Sequence, residues 1–143
     1  MPQHSETRTL PYSAEQMFDL VADVERYPDF LPWCTGMRIV KRDEKNIVAI
    51  MIVGTKLLHE KFTSHVMLDR PKAIRVRYVA GPLSHLTNTW EFKPKGPKSC
   101  EVSFDLNFDF RSPLFRAAMT SFFDHALAKM VAAFEARAAA LYK

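Results

Sequence analysis

Residues 102 to 110 alternate without a fault: Val102, Phe104, Leu106, Phe108 and Phe110 face one way, and Ser103, Asp105, Asn107 and Asp109 the other. This is a strand with one dry face, and a dry face has to be covered. The cover comes next in the chain. Phe115, Met119, Phe122, Phe123, Ala126, Leu127, Met130, Val131, Phe134 and Leu141 recur at helical spacing, so a one-sided sheet runs into a one-sided helix. Phe and Met make bulky, adjustable walls where a tightly specified core would favour Leu, Ile and Val. The pairing therefore predicts a binding cavity between the two layers and no catalytic centre.

The elements upstream fit that frame. Thr7 to Leu10 reads as a short strand, and Ser13-Ala14-Glu15-Gln16 is a capping-box start, with Tyr12 and Met17 placed for a hydrophobic staple. That helix is expected to run to about Asp23, followed by a short helical turn over Val24 to Tyr27 that Pro28 stops. The apolar loop from Tyr27 to Cys34 follows, bracketed by Pro28 and Pro32. From Met37 onward, turn signals punctuate six strands, among them Gly54-Thr55-Lys56, Asp69-Arg70-Pro71-Lys72 and Gly81-Pro82. The run Ile47 to Val53 suits a buried strand. Ser112-Pro113 then opens a helix expected to reach almost to Lys143. The predicted class is α+β: one domain over residues 1–143, with a curved antiparallel sheet of about seven strands, two short helices after the first strand, and a long C-terminal helix.

Composition narrows the function. With 48% apolar and 25% charged residues, neither disorder nor a fibrous architecture is indicated. The first residues are polar and lack the apolar core of a secretory signal, which points to the cytosol, and no run is long enough to span a bilayer. Membrane contact would be peripheral, at the inner face of the plasma membrane. Cys34 and Cys100 lack metal or redox spacing and read as reduced, buried thiols. Residues 1–50 carry 6 basic and 8 acidic side chains and the remainder 14 and 8, so the surplus behind the net charge of +4 lies in the later strands. Lys61, Arg75, Arg77 and Lys93 there form either a face attractive to anionic lipid or RNA, or a solvated surface that resists edge pairing.

Motifs for bond-making chemistry are missing. The 4 glycines are scattered, leaving no phosphate-cradling loop, and the 5 histidines show no metal spacing. His59 and His65 share a solvent face with Lys61, and the adjacent Asp124 and His125 diverge on a helix. No catalytic residue, metal or cofactor is expected. The inward register is more informative, because it carries two polar groups among apolar ones: Ser64 between Phe62 and Val66, and Asn88 between Leu86 and Trp90. Buried donors need partners, which backbone, water or a ligand carbonyl can supply. Phe30, Leu31 and Trp33, and Gly81-Pro82-Leu83 at the far strand end, would form lids over the cavity or seal the core.

Several stretches carry a resemblance. Tyr12 to Pro28, then Phe30-Leu31-Pro32-Trp33-Cys34, then Gly81-Pro82-Leu83 with Leu86 and Trp90, and the closing Met130 to Ala138 resemble the coenzyme Q-binding, START-like proteins. These belong to the polyketide cyclase and birch-pollen-allergen superfamily, which has the helix-grip fold. The resemblance runs from about Thr7 to Tyr142. It implies binding of ubiquinone or a related polyprenyl lipid in support of quinone delivery and respiratory electron transport. The same subfamily includes bacterial toxins that bind the large ribosomal subunit and block subunit joining, which is one alternative. A polyketide cyclase or aromatase is another, although no acid or base is placed for it. No DNA partner is expected. The expected ligand-binding set is Phe30, Trp33, Phe62, Ser64, Val66, Tyr78, Leu83, Leu86, Asn88, Trp90 and Phe108 from loops and sheet, with Phe115, Met119, Phe122, Phe123 and Leu127 from the helix.

Overall fold

The computed structural model of the protein describes residues 3–31, 33–55, 58–114, 116–117 and 129–142. Strand β1 (Gln3–Leu10) leads to α1 (Ala14–Ala22), a 3-10 turn (Val24–Arg26) and α2 (Tyr27–Phe30). Six strands follow: β2 (Cys34–Arg42), β3 (Asn46–Thr55), β4 (Leu58–Asp69), β5 (Ala73–Ala80), β6 (Leu83–Gly96) and β7 (Ser99–Phe110). Helix α3 (Met130–Leu141) comes last.

The strands form one antiparallel sheet in the order β1-β7-β6-β5-β4-β3-β2. Every connection from β2 to β7 is a hairpin, so neighbours in sequence are neighbours in the sheet. The exception is the first connection. β1 pairs with β7 at one edge and β2 lies at the other, so the segment holding α1, the 3-10 turn and α2 crosses from edge to edge. Helix α1 begins on the expected capping box: the Ser13 hydroxyl accepts from the Gln16 N–H at 3.1 Å, and the Ser13 N–H donates to the Gln16 side chain at 3.0 Å. Its face of Met17, Phe18, Leu20 and Val21 is buried under the sheet, with the Phe18 ring edge-on to Phe92 at 5.8 Å. Outside, the Arg70 guanidinium grips Asp19 through two hydrogen bonds of 2.9 Å, tying the β4–β5 turn to α1.

Alternation in β7 is as clean as the sequence implies, with Cys100, Val102, Phe104, Leu106, Phe108 and Phe110 all buried. β1 extends back to Gln3 instead of starting at Thr7. Pro28 does not stop a helix: it sits in the first turn of α2, where its missing N–H would have had no intrahelical partner anyway. Register shifts at Cys34/Gly36 and Ile39/Lys41 bend edge strand β2, the second beside the exposed Lys41 and Arg42, a combination that discourages pairing with another sheet.

Helix α3 packs its buried Val131, Phe134 and Ala138 inward. Phe134 is the hub, with ring centroids 5.3 Å from Tyr27, 5.1 Å from Phe30 and 5.0 Å from Trp90. At the end of the chain the Tyr142 hydroxyl donates to the Gln16 carbonyl at 3.1 Å. The stripe residues Phe115, Met119, Phe122, Phe123, Ala126 and Leu127 lie outside the described residues. Among the described residues, no helix is long and apolar enough to cross a membrane.

Candidate functional site: an apolar cavity between sheet and helix

The inner face of the sheet is not filled at its centre. Along one row Ala49 of β3 stands directly opposite Ser64 of β4, and along the next Val66, Val76 and Asn88 are cross-strand neighbours. These side chains are small, whereas Phe62, Trp90, Phe104 and Phe108 around them are large. The large residues hold the helices off, and a void of about 160 Å³ remains in the middle. Helices close it from above with Val21, Val24, Tyr27, Met130 and Phe134, while Leu31, Trp33, Met37, Met51 and Val53 close the β2–β3 side. An apolar cavity of about 150 Å³ holds a benzene-sized guest, so the scale here is one ring.

Polar atoms in the lining are few. The Tyr27 hydroxyl is committed, donating to the Val21 carbonyl, and burial holds it protonated by pushing its pKa up. Asn88 donates one amide N–H to the Asp105 carbonyl at 2.9 Å. Its second N–H and its Oδ1 have no partner among the described residues, and neither has the Ser64 hydroxyl. An amide and a hydroxyl thus face an apolar void with hydrogen-bonding capacity to spare. The described lining holds no carboxylate, imidazole or lysine ammonium. Cys34 and Cys100 are free and buried, and burial pushes both thiols up to about 11, far from the thiolate that nucleophilic chemistry needs. Among the described residues no cluster of metal-binding side chains occurs.

Of the residues expected at the site, Trp33, Phe62, Ser64, Val66, Leu86, Asn88, Trp90 and Phe108 line the cavity. Phe30, Tyr78 and Leu83 do not. Phe30 is drawn away by ring contacts with Tyr27 and Phe134 and lies under the Arg137 guanidinium at 5.4 Å. Tyr78 and Leu83 are engaged with each other, the tyrosine hydroxyl accepting the Leu83 N–H at 2.9 Å, so the Gly81-Pro82-Leu83 segment is a sealed turn and not a lid. Phe115, Met119, Phe122, Phe123 and Leu127 lie outside the described residues. Sequence reasoning missed Met37 of β2, and it missed Ala49, Met51 and Val53 because the run Ile47 to Val53 has no alternation to mark its inner face. It also missed Val21, Val24 and Tyr27, which approach only because the α1–α2 segment crosses the sheet. The capping box that places α1 was the one available signal.

A curved antiparallel sheet gripping a helix around a ring-sized apolar void defines a helix-grip protein with an internal apolar cavity. The chain belongs to the polyketide cyclase / dehydrase and lipid transport family, whose model matches residues 10–135. It is 39% identical over 133 residues to the ribosome association toxin RatA of Pseudomonas aeruginosa, covering 93% of this chain and 92% of that one. Over 144 residues it is 33% identical to the mitochondrial coenzyme Q-binding protein COQ10 homolog B of Xenopus laevis, covering 98% of this chain and 59% of that protein. Among solved structures, the Zhui aromatase/cyclase from Streptomyces sp. R1128 superposes with a TM-score of 0.83 at 18% identity, over 96% of this chain and 93% of that one. At that identity the likeness speaks for the fold alone.

Proposed function

We propose that the protein binds ubiquinone or a related polyprenyl lipid, with the quinone ring in the cavity, in support of quinone delivery and respiratory electron transport. The observation that carries this reading is the pairing of a ring-sized apolar void with two polar groups that have hydrogen-bonding capacity to spare among the described residues, Ser64 and Asn88. A quinone presents the complement: a flat apolar ring with carbonyl oxygens, which accept from the free Asn88 N–H or the Ser64 hydroxyl. The ring leaves water for apolar walls, and the two groups fix its orientation. At about 160 Å³ the void has room for one ring, so a polyprenyl tail has to lie outside it. The described lining offers no carboxylate, imidazole or lysine ammonium, which supports binding without catalysis. At the end of the sheet where Arg111 donates its N–H to the Pro82 carbonyl at 3.2 Å, Leu114 is 81% exposed beside the exposed Arg111, which supports peripheral contact with a lipid surface.

The test has two parts. Organic extraction of the purified protein and mass spectrometry should identify a co-purified quinone or polyprenyl lipid. Asn88→Leu should weaken quinone binding by about fivefold, equivalent to one hydrogen bond of about 1 kcal/mol. An empty extract combined with unchanged affinity in the variant would remove the reading.

A second reading, a module that binds the large ribosomal subunit, is favoured by the 39% identity to RatA across 92% of that protein. It predicts co-sedimentation with large subunits that fades with salt and survives lipid extraction.

A further inference from the structure

The outer face of the sheet carries a cluster of cations that the cavity does not explain. Met37, Phe62, Ser64, Val66, Ile74, Val76, Leu86 and Asn88 point inward, so Arg38, Lys61, His65, Arg75, Arg77 and Thr87, which alternate with them, point outward. Cross-strand pairing draws them together: Arg77 stands between His65 and Thr87, and Arg75 between Met67 and Thr89. Arg75 and Arg77 are exposed and separated by about 7 Å along β5. Elsewhere arginines find carboxylates, as Arg8, Arg42, Arg70 and Arg116 do. Among the described residues Arg38, Lys61, Arg75 and Arg77 form no ion pair. The carboxylates on this face stand at its border: Asp69 is exposed at the end of β4, Asp105 stands opposite Thr89 and accepts from the Ser5 hydroxyl at 2.6 Å, and Glu91 follows Thr89 along β6.

We infer that this face of β4, β5 and β6 docks the backbone of an A-form RNA duplex. The inference rests on the ribosome-binding reading and gives it a surface and a chemistry. Unpaired guanidinium groups supply phosphate contacts, and the flanking Thr87 and Thr89 supply short polar groups suited to 2′-hydroxyls, while His65 Nε2 is engaged with Asn46 Oδ1 at 2.8 Å. A sheet that curves around its helix is convex on this side, and a convex face, polar apart from Met67 and the exposed Val79, fits the wide, shallow minor groove of A-form RNA. Single strands need stacking platforms, yet Phe62, Tyr78, Trp90, Phe92, Phe104 and Phe108 all belong to the inward register. For the same reason the face lacks the aromatic anchors of a membrane-inserting surface.

The full chain is titrated with a labelled blunt RNA duplex of about 20 base pairs between about 50 and 200 mM salt, using fluorescence anisotropy. Arg75→Gln/Arg77→Gln should make the log–log salt slope shallower by about 2 and weaken binding at least about tenfold at 0.1 M salt. Lys45→Gln/Lys98→Gln removes the same charge in the β2–β3 and β6–β7 turns and should leave the slope unchanged. Unaltered melting curves establish that both variants fold. Equal losses in the two variants, or equal or tighter binding to single-stranded RNA, a DNA duplex or phosphatidylserine vesicles, would overturn the inference. Co-sedimentation separates it from the reading beneath it. Subunit binding that ignores both arginines sinks the face and leaves the ribosome reading standing. Arginine-dependent duplex binding without subunit binding does the reverse.

Discussion

The Tyr78 hydroxyl accepts the Leu83 backbone N–H at 2.9 Å across the β5–β6 turn, and Gly81 is wedged between that hydroxyl and the Lys61 carbonyl. A Cβ on Gly81 would lie 2.8 Å from each oxygen, and its φ of +147° is one that side chains disfavour. Gly81→Ala should therefore cost about 1 to 3 kcal/mol in denaturant unfolding. Tyr78→Phe, which strands a buried N–H at a residue with 0% exposure, should cost about as much. Unchanged midpoints in both variants would mean that the turn is not the clasp described.

Phe134 touches three aromatic rings and is 1% exposed. Phe134→Ala should destabilise the fold by about 3 to 5 kcal/mol, among the largest single-residue effects here. Chemical denaturation measures it directly, and a loss below about 1 kcal/mol would show that α3 is not what holds the sheet closed.

Filling the void should separate ligand binding from folding. Val76 lies on its floor between Val66 and Asn88, so Val76→Phe places a ring where a ligand ring would go. Wild-type protein saturated to about 100 times its Kd should gain about 2.7 kcal/mol, read as a rise in Tm, and the variant should gain nothing. A full ligand-induced rise in the variant would place the ligand elsewhere.

Alkali should weaken the fold through its thiols. Burial pushes Cys34 and Cys100 up to about 11 from an ordinary value of 9.0, so above pH 9 the unfolded chain releases protons that the folded chain keeps. This contribution is complete below pH 9 and is lost as pH climbs through 11. Tm measured across that window should fall, and fall less steeply in Cys34→Ala/Cys100→Ala. Parallel curves for the two proteins would contradict it.

Period and punctuation made most of the architecture legible. The alternation of residues 102–110, the Ser13–Gln16 capping box and the turn signals at Asp69–Lys72 and Gly81–Pro82 each depend on neighbours within a few residues, and each appears in the structure. Ser64 and Asn88 were also placed on the inner face by period alone. Where local signals are ambiguous the reading failed. Pro28 is compatible with a helix end or a helix start, and the apolar run of β3 gives no parity, so Ala49, Met51 and Val53 were invisible as cavity walls.

The sequence by itself determined which residues form strands and helices and which face of each is dry, because those properties repeat with the period of the backbone. Only the tertiary structure decided that β1 closes against β7, that the α1–α2 segment crosses to the far edge, and that Tyr78 and Leu83 bind each other and stand off the cavity. Those outcomes depend on volumes and distances between residues far apart in the chain. The cavity itself is of that kind, since small side chains leave a void only where large ones on other strands keep the helices from settling onto them.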